Sequence, residues 1–238
     1  MNVLAFDTCF SSCSVAVQAE QADDAPRIAS EHRAMNTGHA EALLPMIERV
    51  MREADLAFSD LERIVVTNGP GTFTGVRTGV AVARALALAT GAEIVAVSSL
   101  WAIAAGVVAS AGPSPPFDAV LSAVDARKSQ LYFQLVDAVG HELSEPMLGD
   151  AAAAVELCYS PRVCIVGNAA ATVVELSRAA ATKHPLLGEK TDANAYPNAI
   201  HLLGAALRSS ITVPLMPLYL RPPDAKPQAD KSLPWSPT

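Results

Sequence analysis

The chain has 238 residues, 51% of them apolar, 17% charged and 5% aromatic, with 24 acidic against 17 basic side chains and a formal net charge of −7. That apolar share excludes an intrinsically disordered chain, which is poor in apolar residues and dense in charge, and no apolar run approaches the ~18 residues of a membrane-spanning helix. The acid excess argues against a protein that grips a phosphate backbone alone, because such a protein carries a basic footprint.

The length predicts one large domain or two small ones. The first residues, MNVLAFD, lack a basic n-region and predict no cleaved leader. Val3–Phe6 reads as a strand. A turn rich in Thr, Ser and Cys follows, then strands at Ser14–Val17 and Arg27–Glu31. From Thr37 to Ala54 the apolar positions fall at Ala40, Leu43, Leu44, Ile47, Val50, Met51 and Ala54, the spacing of an amphipathic helix. Asn36 or Thr37 is placed to cap it, and Pro45 should kink it. A strand at Ile64–Thr67 runs into the glycine-rich segment Asn68-Gly-Pro-Gly-Thr-Phe-Thr-Gly-Val-Arg77. A helix at Val76–Ala89, a strand at Glu93–Val97 and a helix from Ser98 or Ser99 to Val108 close the first half.

After the stiff linker Gly112–Pro116, the order starts again. Strands are predicted at Ala119–Val124 and Leu131–Val136, with a weaker third near Glu142–Met147. A helix capped by Asp150 runs to Leu157, a strand covers Val163–Val166, and a helix covers Ala169–Ala181. The stretch 182–193 reads as irregular, and Ala195–Ser209 as a closing helix. Each half thus runs β-β-β-α-β-α, with an aspartate ending its first strand. Seven of the 17 prolines lie in the last 25 residues, so 222–238 is expected to be an extended or disordered tail. The predicted division is 1–110, 117–221 and that tail.

The glycine-rich segment misses both the Walker A and the dinucleotide spacing. A turn from strand to helix still aims free N–H groups and the positive helix end at one point. A phosphate-facing loop and a plain tight turn both remain open. Asp7 and Thr8 at the first hairpin tip, with Gly69, Gly71, Thr72 and, across a cleft, Asp125, form the candidate phosphate-facing set. Singly, each aspartate reads as a turn former. His39 has no partner histidine four residues away, and Cys9, Cys13, Cys158 and Cys164 lack zinc spacing. No metal site and no catalytic residue is assigned, and the cysteines read as buried thiols. The helix over 76–89 is apolar nearly all round and must be covered on more than one side, by its own domain or by a partner.

MNVLAFDTCFSSCSVAV, NTGHAEALLPMIERVM, NGPGTFTGVRTGVAVARALAL, the SSL after the next strand, DARKSQLYF and PLYLR together resemble the bacterial tRNA threonylcarbamoyladenosine biosynthesis family TsaB, or YeaZ, collinearly from residue 1 to about 221. The resemblance implies an α/β fold of the actin-like, sugar-kinase type with two ribonuclease-H-like lobes. It further implies a non-catalytic subunit in the cytoplasm that pairs with a homologous transferase, TsaD, and the small ATPase TsaE. Together these add a threonylcarbamoyl group to the adenosine beside the anticodon of tRNAs reading codons that begin with A. By the same resemblance the chain dimerises when alone. The acid excess leaves tRNA to be met only through the complex, and no tight cofactor is expected, with ATP or ADP and Mg²⁺ bound weakly at most, at the cleft or the partner interface. The implied contact surface lies on the first two helices, with Leu43, Leu44, Ile47, Val80, Arg84 and Leu88 as candidates. The alternative is an autonomous enzyme of the same fold, an ATP-dependent kinase or a metalloprotease-like relative.

Overall fold

An apolar run that ends in one aspartate is the pattern of a strand covered on both faces, and in the computed structural model Val3–Asp7 (β1) is buried at every position. The structure describes residues 1–22, 24–160, 162–179, 189–190, 196–207 and 215–221. Ser12–Ala19 (β2), Arg27–Ala34 (β3), Arg63–Thr67 (β4) and Glu93–Val97 (β5) complete the first sheet, in the order β3-β2-β1-β4-β5. The second sheet holds Ala119–Asp125 (β6), Leu131–Asp137 (β7), Met147–Gly149 (β8), Val163–Val166 (β9) and Glu189–Lys190 (β10). Its order, β8-β7-β6-β9-β10, repeats the first. In both sheets the opening strand pairs antiparallel with the second strand and parallel with the fourth.

Among the described residues the helices that fill the layers are His39–Glu53 (α1), Phe73–Thr90 (α2), Ser99–Ala111 (α3), Ala151–Glu156 (α4), Ala170–Ala179 (α5) and Ala199–Leu202 (α6). α1 and α2 pack on one face of the first sheet, and α6 packs on β1, β2 and β3. α3 touches α6 on one side and β6 and β7 on the other, while α4 and α5 rest on the second sheet. The α3 sequence SLWAIAAGVVASA has no charge, as a helix buried between α6 and the second sheet requires. Its first turn is fixed by Ser98, whose hydroxyl accepts the Trp101 N–H at 2.8 Å and donates to the Gln134 side-chain carbonyl of β7. The Ser122 hydroxyl of β6 donates to the Leu100 carbonyl at 2.7 Å. The two sheets are therefore joined by polar bonds as well as by packing.

Several expected boundaries move. α1 starts from Gly38 in a left-handed conformation (φ 85°) with no side-chain cap, because Asn36 and Thr37 sit too early to reach its free amides. The helix runs unbroken through Pro45, which lies on the exposed side where solvent can serve the freed carbonyl. α2 begins three residues early because Thr72 caps it by accepting the Gly75 N–H at 3.2 Å. The third strand of the second half is Met147–Gly149, with only an isolated bridge at Glu142. The closing helix is one short turn followed by a 3₁₀ segment over Leu203–Leu207. Residues 196–221, expected within the second lobe, send their described parts back onto the first sheet: the Ser14 hydroxyl donates to the Pro197 carbonyl and accepts the Ala199 N–H. The 222–238 tail lies outside the described residues, as does most of 182–193. No helix among the described residues is long and apolar enough to cross a membrane.

Candidate functional site

The end of β1 carries a buried acid. Asp7 is fully enclosed; its Oδ1 accepts from the Thr67 hydroxyl at 2.5 Å and from the Cys9 N–H at 3.2 Å, while its Oδ2 has no partner among the described residues. Burial pushes the carboxyl up to about 6, against the lowering pull of the bonds from Thr67 and Cys9. Burial, then the Asp7 charge, likewise push the Cys9 thiol well above its usual range. Thr8 is also buried, and its hydroxyl donates to the Gly75 carbonyl at 2.7 Å. Asp7 and Thr8 therefore face the interior of the first lobe, not open solvent.

What covers them is the glycine-rich turn, and its glycines have steric reasons. A Cβ on Gly71 would overlap the Cys9 carbonyl, and one on Gly75 the Thr8 carbonyl; at Gly79 it would sit 2.8 Å from the Thr8 hydroxyl. Three layers of backbone thus stack with no room for side chains. The Thr72 N–H donates to the Cys9 carbonyl at 2.7 Å, which closes the inner layer. The outer layer is residues 215–221. The Leu218 N–H donates to the Asn68 carbonyl at 2.7 Å, and the Asn68 amide donates to the Met216 carbonyl at 3.3 Å. Gly69, at φ 117°, lies so close beneath that a Cβ would be 2.6 Å from the Leu218 oxygen. Arg77 joins the layers at the surface. Its Nε donates to the Tyr219 hydroxyl at 2.7 Å, and its guanidinium lies 3.5 Å from the Phe73 ring centre. Phe73 stacks on Tyr219 at 5.3 Å. No sequence pattern groups Thr67, Phe73, Arg77 and the 215–221 segment; the PLYLR motif at 217–221 is the signal that marks this cover.

Asp125 ends β6 as Asp7 ends β1, and both fold a local turn: Asp125 Oδ1 accepts the N–H of Arg127 at 2.8 Å, as Asp7 accepts that of Cys9. Gly167, after β9, presses on the Ala123 backbone as Gly71 presses on Cys9. The two acids do not share a cavity. Asp125 is exposed and lines an opening of about 540 Å³ with Ser129, Asp150, Asn168, Thr172 and Leu176, all from the second half. The candidate set therefore divides: Asp7, Thr8, Gly69, Gly71 and Thr72 cluster at the first turn, and Asp125 stands apart.

The helix-pair candidates divide as well. Leu43, Ile47 and Val80 are core residues, not contact residues, at 0%, 0% and 4% exposure. Leu43 and Ile47 follow the buried stripe of α1, and Val80 lies on the α2 side that Gly75 and Gly79 bring against Thr8. Leu44, Arg84 and Leu88 are at the surface, Leu88 at 90% exposure. The open side of α2 presents Arg77, Ala81, Arg84, Ala85 and Leu88 in one stripe. His39 is a core histidine whose Nε2 donates to the Phe10 carbonyl at 2.9 Å. No group of three or more metal-ligating side chains occurs among the described residues. All four cysteines are buried and none is in a disulfide.

Comparison with known proteins places this geometry. The family model described as TsaD, tRNA N6-adenosine threonylcarbamoyltransferase, matches residues 25–212. The chain is 31% identical over 133 residues to the tRNA threonylcarbamoyladenosine biosynthesis protein TsaB of Escherichia coli, and 35% identical over 133 residues to that of Bacillus subtilis. These stretches span about half of each protein: 56% of this chain in both, 54% of the first relative and 53% of the second. An uncharacterised protein of Mycobacterium tuberculosis is 31% identical over 195 residues, 80% of this chain and 79% of that one. Among solved structures, YeaZ from Pseudomonas aeruginosa superimposes with a TM-score of 0.67 at 25% identity, over 87% of this chain and 91% of that chain. A second Pseudomonas aeruginosa structure, described as similar to peptidase YEAZ, gives 0.70 at 27% identity over 92% and 99%. The repeated strand order, the stacked glycine turn and these matches agree on one assignment: an α/β protein with the two-lobed actin-like fold, the chain belongs to the TsaB (YeaZ) family.

Proposed function

We propose that this chain is a non-catalytic partner subunit in tRNA threonylcarbamoyladenosine biosynthesis, seated through α2 on a TsaD-type transferase. The observation that carries the reading is the open side of α2. It has two arginines and no acid in a chain of net charge −7. Alanines at 81 and 85 let a neighbouring helix approach closely, and Leu88 offers an apolar anchor beside them. A leucine 90% exposed on a small-residue stripe fits a docking face better than a solvated one, and Leu44 of α1 is a further exposed apolar residue on the same lobe. In the same reading the cytoplasmic chain self-associates when TsaD is absent, and TsaE completes the assembly. tRNA is held by the complex, since the acidic surface of this chain repels phosphate. With Asp7 and Thr8 enclosed, ATP or ADP with Mg²⁺ binds weakly at most.

Reconstitution tests this. The chain, its TsaD homologue, the TsaE ATPase, tRNA and the threonylcarbamoyl adenylate are combined, with each protein omitted in turn. Modified adenosine should form only when TsaD and this chain are both present. Undiminished modification without this chain, or modification by this chain in the absence of TsaD, would overturn the proposal.

A further inference from the structure

Two features of the first lobe belong together. One is a closed acid–hydroxyl set, Asp7, Thr8 and Thr67, in which the Asp7 Oδ2 is buried without a partner among the described residues. Keeping a carboxylate oxygen in that state is costly, so the enclosed form is held at a loss that any opening relieves. The other is the cover. Residues 215–221 lie across the glycine turn on one buried apolar side chain, Leu215, while Met216 and Tyr219 are 70% and 42% exposed. Segments with few buried contacts and solvent-exposed hydrogen bonds open at free energies far below global unfolding. The cover also spans the lobes. At Asn68 it binds the turn that leaves β4, and at its far end Arg221 donates to the Ala126 carbonyl, in the turn that leaves β6, at 2.7 Å.

We propose that residues 215–221 form a releasable strap that, when seated, clamps the glycine turn onto Cys9 and ties the two lobes together, and, when lifted, exposes the Asp7–Thr8–Thr67 set. The Phe73–Arg77–Tyr219 cluster is its surface latch: ring stacking and the Arg77–Tyr219 bond hold the strap at its middle, while Arg221 holds it at the second lobe. As the strap leaves, the Thr72–Cys9 tie breaks with it and the turn swings off Cys9, while the Ser99 N–H to the Gly69 carbonyl at 2.8 Å keeps the start of the turn anchored. Opening is therefore a local hinge and not unfolding. This device stands independently of the partner-subunit reading.

Two measurements on the full chain test it. In the native protein, amide hydrogen exchange should find Leu218 and Thr72 opening together, faster than the β1 amides. Exchange of Leu218 and Thr72 only at the β1 rate would overturn the strap. In a Tyr219→Ala/Arg221→Ala variant, which removes the Arg77–Tyr219 and Arg221–Ala126 hydrogen bonds and one stacked ring, alkylation of Cys9 by N-ethylmaleimide should rise about tenfold or more. Cys158 and Cys164 in the second lobe serve as internal controls and should keep their wild-type rates. An unchanged Cys9 rate contradicts the proposal, and so does an equal rise at all the cysteines, which reports general destabilisation.

Discussion

Asp7 is the residue whose surroundings decide most. Enclosure raises its carboxyl from an ordinary 3.8 to about 6, so the native state holds the proton more tightly than the unfolded chain does. The stability this contributes is fully present below pH 3.8 and is lost as pH rises through about 6, with a span on the order of 3 kcal/mol. Urea unfolding of wild type and Asp7→Asn across pH 4 to 7.5 reads it directly: the wild type should gain on the variant as pH falls. A stability difference that stays flat over that range would contradict the enclosure. In sequence, Asp7 is legible as a strand-ending turn former, and its bond to the Cys9 N–H is that turn. Its burial is not legible, because the cover comes from residues 68–72 and 215–221, whose approach no local pattern encodes. Ser129 shows the converse. It stands at φ 60°, in a run with Arg127 and Lys128 that is left-handed throughout, and only the three-dimensional turn explains why a non-glycine residue accepts that strain.

At the scale of elements, the existence of α1 and α2 follows from spacing, but their facing is unequal in clarity. α1 alternates apolar and charged positions, so its buried stripe of Leu43, Met46, Ile47, Val50 and Met51 is readable. α2 is small and apolar nearly all round, and no such contrast orients it. The orienting signal was the glycine pair: Gly75 and Gly79, one turn apart, mark the side that meets the Thr8 backbone, which puts Val76, Val80 and Ala83 inside and Ala81, Arg84 and Leu88 outside. Opposite substitutions on the one helix therefore separate core from contact. Val80→Asp places an unpaired charge in the core and should cost more than about 4 kcal/mol, enough to unfold the chain. Leu88→Asp should leave the melting temperature within about 2 °C of wild type and weaken the TsaD complex by on the order of 2–4 kcal/mol. Calorimetry and a binding titration check both. A strongly destabilised Leu88→Asp, or one that binds as wild type, would contradict this division of the helix.

Across the whole molecule, the repeated element order is what the sequence exposes most clearly, and it becomes two sheets of identical strand order related by their opening aspartates. The ending is hidden. α6 and the 3₁₀ turn after it return to the first sheet, and an alanine-rich closing segment has no polarity pattern to say which lobe it serves. That return, with α3 held between α6 and the second sheet, leaves α2 as a long helix with one side open, the side that the proposed partner covers. Hydrogen exchange of this chain with and without its TsaD homologue is the most direct measurement. Amides from Arg77 to Ala89, with those around Leu44, should gain protection in the mixture while the β7–β8 edge of the second lobe stays unchanged. Protection confined to that edge, or none on α2, would contradict the account.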